Sequence, residues 1–324
     1  MKFCIIPKSR NNFKPNIKKD ELIRILTLAF GRAFKNIISV LEVNIGFFNN
    51  VFVIEMKNQE KYVLRIAPMD PRILSHEKHL LRREYSIQPH LSVISKFIPQ
   101  VVLADFTHKI TPYDYLLQKF IPGENWFNCQ DKLSNEQSSC LWGQLGLLSK
   151  KIHSVEGEFY GFPYPGANYN NWSDFLIGLV NGVEEDRNRF NLDSFRTDET
   201  ISIIKHSQDV INEIGKPKLL HGDLWKRNVL IDLSGNHPKI TGILDSERAF
   251  WGDPLAESIF HLENVSDTFW EGYGFKRLNE KDRYRMKVYR LIHLYNEILY
   301  CIRLGIKPHP QWRAEITNIL DQFD

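Results

Sequence analysis

The chain has 324 residues, 43% of them apolar and 25% charged, with a formal charge of +3. That length predicts two domains or one large bilobal domain with ample apolar material for a core. The small charge excludes an electrostatic case for nucleic acid or an anionic membrane, and four scattered cysteines with no C-x-x-C pair exclude a zinc site or disulfide framework.

In chain order, residues 1–6 are mildly apolar, but Pro7, Lys8 and Arg10 cut the run too short for a signal peptide. No later run approaches the roughly 20 apolar residues of a membrane helix. A soluble, cytoplasmic protein in a reducing compartment is expected. Residues 8–19 read as a basic, solvated tail. Residues 20–34 predict an amphipathic helix, with Leu22, Ile25, Leu26 and Ala29 on one face. Residues 37–57 and 61–67 predict a hairpin around Asn58-Gln59-Glu60, and residues 73–91 a charged helix. Residues 101–104 and 113–120 read as strands, and Pro122-Gly123 marks a break.

Beyond it strands become scarce. Ser134 and Gln137 form a capping-box signature for a helix carrying Leu141, Leu145, Leu148 and Ile152. An aromatic Gly/Pro loop follows at 159–166, then helices over 173–190 and 199–214. Strands at 229–233 and 239–244 flank a turn at Ser234-Gly235-Asn236. Asp253-Pro254 reads as a capped helix start, and a long helix over 281–304 ends at Gly305. The layout is α+β: a bilobal, protein-kinase-like fold with a small antiparallel sheet and one helix in residues 1–120, and a larger, mostly helical lobe with a short hairpin in 121–324.

The stretch Leu219-Leu220-His221-Gly222-Asp223-Leu224-Trp225-Lys226-Arg227-Asn228-Val229-Leu230-Ile231 carries the chemistry. It sets Asp223 five positions before Asn228, the layout His-x-Asp-Leu-x-x-x-Asn of a kinase catalytic loop. The hairpin then returns Asp245, in Asp245-Ser246-Glu247, to the same end as Asn228. Carboxylate and amide oxygens are hard donors suited to magnesium. Taken singly, Asp223 is a turn residue and Asn228 a cap; taken jointly, in order between apolar flanks, they point to phosphoryl transfer.

These residues resemble the aminoglycoside phosphotransferase family, small-molecule kinases related to choline kinase and to protein kinases. The resemblance rests on His221-Gly222-Asp223, on Asp245-Ser246-Glu247 and on Gly252-Asp253-Pro254. It implies Asp223 as catalytic base or hydroxyl-orienting residue, Asn228 and Asp245 as magnesium ligands, and His221 as a brace for the loop. It places Arg65 where the family has a phosphate-binding lysine, and strand parity turns Arg65 away from Leu64 and Ile66. Glu84 is the expected partner of Arg65, with Glu77 as a rival. The phosphate loop is expected at residues 45–50, where Gly46 is the one glycine, and the purine hinge at Gln118 to Ile121, including Phe120. ATP is the implied donor, with GTP as an alternative.

The acceptor is expected beside Asp223. The carboxylates Glu247, Asp253, Glu257, Glu263, Asp267 and Glu271, with Tyr164 and Trp172, suit a cationic aminoglycoside, as does the acidic, aromatic end at 320–324. A kinase of choline, a sugar or an amino alcohol is the alternative. A nucleotide-binding regulator without catalysis is a third reading, and the oligomeric state is open.

Overall fold

Alternating apolar residues build the first sheet. The computed structural model describes residues 1–9, 12–44, 46–164, 168–235, 237–262, 265–274 and 278–323. Ile45, Pro165, Gly166, Asn236, Glu263 and Asp324, each used in the sequence reading, lie outside the described residues, as do Arg10 and Asn11 of the predicted tail.

The N-terminal lobe runs β1 (Lys2–Cys4), α1 (Lys19–Phe30), β2 (Ile37–Val43), β3 (Asn50–Met56), β4 (Lys61–Ile66), α2 (Leu80–Ile87), β5 (Val101–Asp105) and β6 (Tyr115–Lys119). The strands form one sheet in the order β1-β2-β3-β4-β6-β5. Every pairing is antiparallel except β1 on β2, so the sheet is mixed. Phe52, Ile54 and Met56 of β3 and Leu64 and Ile66 of β4 meet Leu22, Ile25 and Leu26 of α1 in one buried cluster. The period-two alternation of the strands therefore turns Arg65 to the opposite face, toward α2.

The predicted solvated tail is instead part of this lobe. β1 adds to the edge of the sheet, Ile17 is buried, and Phe13 meets Phe48 edge-on at 5.4 Å. The reason is Glu42. Its buried carboxylate accepts from the Ile6 amide and the Asn50 side chain and pairs with the Lys8 ammonium. The helix predicted over 73–91 is also broken. A 3-10 turn at Ser75–Glu77 precedes α2, His79 sits at a left-handed φ of 63°, and Pro89 opens a further 3-10 stretch, Gln88–Phe97.

The second lobe continues with β7 (Glu124–Asn125), α3 (Trp126–Cys129), α4 (Asn135–Ile152), β8 (Tyr160–Gly161), β9 (Asn168–Tyr169), α5 (Trp172–Arg189), α6 (Thr197–His206) and α7 (Gln208–Ile211). The last two divide at Ser207 what reads as one helix. Then come β10 (Lys218–Leu220), β11 (Val229–Asp232), β12 (Lys239–Ile243), β13 (Phe250–Gly252), α8 (Asp267–Tyr273), α9 (Glu280–Arg303) and α10 (Pro310–Leu320). The short strands make two small sheets, β10-β13-β8-β9 and β12-β11-β7. Helix α9 is the axis of the lobe. Its Leu291, Leu294, Tyr295, Ile298 and Leu299 are buried against α10 and the end of α5. Among the described residues, no helix is long and apolar enough to cross a membrane.

A buried carboxylate staples the lobes. Glu77, fully buried beside α2, pairs with Arg303 at the end of α9 and, at 3.0 Å, with Arg248. Removing one partner of such a group strands the others without water. Glu77→Ala is expected to lower unfolding free energy by about 3–5 kcal/mol in urea titration, and a loss below about 1 kcal/mol would show that the staple contributes little.

Candidate active site

The predicted loop hangs between β10 and β11. Gly222 is left-handed (φ 77°), and a Cβ there would lie 2.2 Å from the Arg248 carbonyl oxygen, so only glycine fits. Glu257 holds the loop from beneath. Its carboxylate accepts from the amides of His221 (2.7 Å) and Gly222 (2.9 Å) and contacts His153 Nε2 at 3.3 Å. Asn228 Nδ2 donates to the Asp223 carbonyl (2.8 Å) and to its Oδ2 (2.9 Å). The Leu244 amide donates to the Asn228 carbonyl at 2.8 Å, and Val229 pairs with Ile243. The hairpin thus delivers Asp245 beside Asn228.

The second half of the site surrounds Arg65. Its guanidinium reaches Glu84 of α2 at 2.5 Å, Asp245 at 3.0 Å, and Glu247. Gln118 donates to the other oxygen of Glu84 at 2.7 Å, and Asn49 donates to Glu247 at 3.0 Å. Three carboxylates outweigh the cost of burying Arg65 and hold it firmly protonated. Burial pushes the Glu247 carboxyl up to about 7; Arg65 opposes the rise, and Asp245 and Glu84 add to it. Burial also raises the Asp223 carboxyl, against the pull of Arg248 and His221. A base lifted from the ordinary carboxylate range is better matched to taking a proton near neutral pH.

The donor chemistry fits magnesium. The amide nitrogen of Asn228 is engaged, which leaves its carbonyl oxygen, and the Asp245 side chain is 44% exposed. Two oxygen ligands suffice for a cation that keeps waters and binds phosphate. Among the described residues, no group of three His, Cys, Asp or Glu side chains is arranged to hold a metal.

Asp223 also lines a cavity of about 440 Å³. Its walls are mainly aromatic, including Phe162, Phe175, Trp225, Phe250 and Tyr289. Arg83, Arg227 and Arg248 line it as well, whereas Asp223 and Glu297 are the carboxylates among its described lining residues.

The model of the phosphotransferase enzyme family, APH, matches residues 39–287. The chain belongs to that family. Solved structures of aminoglycoside phosphotransferases share the fold of this phosphotransferase. A thermostable APH(4)-Ia mutant with ADP and hygromycin B has a TM-score of 0.64 and 16% identity, over 94% of this chain and 97% of that one. Aminoglycoside 2'-phosphotransferase-IIIa with GDP gives 0.62 and 18% identity, over 94% and 98%. APH(2")-IIIa with GDP and kanamycin gives 0.60 and 19% identity, over 92% and 97%. A comparison with curated proteins finds no match.

The phosphotransferase brings together Asp223, Asn228, Asp245, Arg65 and Glu84. Glu77, the rival partner of Arg65, goes to Arg248 and Arg303 instead. Gly46 lies in an exposed turn (φ 70°) whose carbonyl accepts from Lys14. Gln118, expected in the hinge, lies near the end of the strand that leads into that segment. It is a member of β6, paired with Val63 and Val101, and its side chain reaches the site only through Glu84. Phe120, exposed, follows that strand.

The expected substrate contacts need correction. Glu247 is engaged by Arg65 and Asn49. Asp253 is buried and accepts from Arg285 (2.9 Å) and from the Tyr289 hydroxyl (2.8 Å). Glu257 is the clasp under the loop that carries Asp223. Trp172 is core, with its indole N–H on Tyr289, and reaches the cavity only as wall. Tyr164 stacks on His79 at 4.7 Å and is not among the lining residues. Asp267 and Glu271 are exposed on α8, away from the cavity. Arg83 and Arg248 went unnoticed, although each adjoins a residue that was singled out, Glu84 and Glu247.

The raised Glu247 carboxyl sets the sign of a pH effect. Below its ordinary value of 4.5 it is neutral in both folded and unfolded chains. Between 4.5 and about 7 the unfolded chain gives up the proton first, which favours unfolding. Relative to Glu247→Gln, the parent is therefore expected to lose roughly 1–3 kcal/mol between acidic and mildly alkaline buffer. Paired thermal melts across that range check this; a constant gap contradicts it.

Proposed function

We propose that this phosphotransferase moves the γ-phosphoryl group of ATP, with magnesium, to a hydroxyl of a small molecule. The observation that carries the reading is that Asp223 lines a ligand-sized cavity while Asn228 is bonded to it and Leu244, bonded to the Asn228 carbonyl, leads directly into Asp245. Residues 1–120 are read as the nucleotide lobe and 121–324 as the catalytic and acceptor lobe.

In this reading Asp223 orients the acceptor hydroxyl and takes its proton. The hydroxyl oxygen forms the new O–P bond, the bond from the γ-phosphorus to the β,γ-bridging oxygen breaks, and ADP leaves with that electron pair. Asn228 and Asp245 hold the cation, which neutralises phosphate charge when bound. Arg65, fixed by Glu84, stands where it can meet the nucleotide phosphates, and its planar fork suits them. Gly46 belongs to the loop read as covering those phosphates, and Phe120 to the segment read as flanking the base. The related structures hold ADP or GDP, so ATP and GTP are both carried as donors.

Those relatives also hold hygromycin B and kanamycin. Of the carboxylates expected to meet a cationic acceptor, Glu247, Asp253 and Glu257 serve the protein itself, and Asp267 and Glu271 are not among the cavity's lining residues. The acceptor is accordingly read here only as a small hydroxylated molecule.

Asp223→Ala is expected to lower the rate of ADP release from MgATP by roughly 10²–10⁴-fold, whether water or an added alcohol accepts the group. Its affinity for AMP-PNP should stay near that of the parent. Asp245→Asn should instead remove the magnesium dependence of AMP-PNP binding. Undiminished turnover in Asp223→Ala would contradict its role in the transfer, whereas a parent chain that binds AMP-PNP but turns over no nucleotide would favour the regulatory reading.

A further inference from the structure

Arg83 is the unexplained charge of this fold. It projects from α2 and is 5% exposed, yet among the described residues it has no ion pair. One guanidinium nitrogen donates to the His76 carbonyl at 2.7 Å, and Nε is buried without a partner. The nearby carboxylates are taken: Glu77 by Arg248 and Arg303, and Glu247 by Arg65. Burial and the like charge of Arg248 pull the Arg83 guanidinium down to about 9, so it stays charged at neutral pH. A charge kept in this state without a counter-ion is costly.

The cavity explains where the counter-ion comes from. Arg83 lines it, 3.5 Å above the ring of Phe162, which packs on Phe175 and Phe250. Arg227 and Arg248 add two more guanidiniums to the lining. Asp223 is reserved for the hydroxyl, and burial raises the Glu297 carboxyl toward its neutral form. His261 and His293, also lining residues, are pushed by burial down to about 4 and about 3 and are neutral at pH 7. These walls repel a polycation and suit an apolar body that carries an oxyanion.

We propose that the acceptor is a hydroxylated acid, with an aromatic or alkyl body between the aromatic walls, its hydroxyl at Asp223 and its oxyanion on Arg83. This rests on the phosphotransferase reading above and names its substrate class. Carboxylate and phosphonate present the same recognition chemistry to Arg83, so both are carried into the test.

The test is a binding titration of the full chain, with and without AMP-PNP and magnesium, read by fluorescence of the lining residues Trp172 and Trp225. The probes are phenyllactate, hydroxymethylbenzoate, the phosphonate analogue of the latter, the neutral amide of each carboxylate, kanamycin and hygromycin B. The acids should bind about 10- to 100-fold more tightly than the amides, the scale of one charge-assisted pair. Arg83→Met should erase that preference and Arg83→Lys should keep part of it. Parallel AMP-PNP affinity reports whether each variant is folded. Preference for one oxyanion type identifies the acid. Equal affinity for acid and amide, undetectable binding of both included, overturns the proposal, as does tighter binding of kanamycin or hygromycin B than of every acid. Failure of AMP-PNP to bind the parent chain would sink the phosphotransferase reading separately, since the acid preference is read without nucleotide as well.

Discussion

The site depends on one buried cation. Arg65 stands on the cleft face of a sheet whose other face packs Phe52, Ile54, Leu64 and Ile66 against α1. It draws in Glu84 from α2, and Asp245 and Glu247 from the segment after the hairpin. Those two segments and the strand that carries Arg65 belong to different parts of the fold, and a single guanidinium aligns them. Lysine, a point charge, cannot contact three carboxylates with fixed directions in this way. Such a cluster is held less by net attraction than by the cost of leaving any member alone in a dry interior.

The same logic recurs outward from that centre. Glu77 answers Arg248 and Arg303, Asp253 answers Arg285 and Tyr289, and Glu257 answers two loop amides and His153. Each acidic side chain is a joint between segments remote in sequence. Together they let a short, glycine-dependent loop present Asp223 to a cavity while its own backbone donors are satisfied from behind. The apolar clusters supply the bulk of the fold, and these polar joints fix the position of the reacting groups within it.

Much of this was legible in the residues. Strand parity alone put Arg65 on the face opposite Leu64 and Ile66, because the period of a strand allows nothing else. The spacing from His221 to Asn228 and the intervening hairpin located Asp223, Asn228 and Asp245, since hairpin pairing is local. What escaped were long-range destinations. Asp253 reads as a cap with a carboxylate to spare for substrate until α9 brings Arg285 against it, and Glu257 looks like a surface acid until the His221–Gly222 backbone folds over it. The N-terminal residues read as a solvated tail because their anchor, Glu42, lies more than 30 positions away from Lys8. Arg83 escaped for the opposite reason: a charged residue in a helix reads as solvated unless its burial is known.

The central claim is that Asn228 and Asp245 grip a divalent cation next to Asp223. Anomalous diffraction from crystals of the chain with manganese and AMP-PNP tests it most directly. The account predicts a manganese peak within about 2.0–2.4 Å of one side-chain oxygen from each of Asn228 and Asp245, with the γ-phosphate facing Asp223. Nucleotide and metal bound elsewhere, or a peak that avoids both side chains, would contradict it.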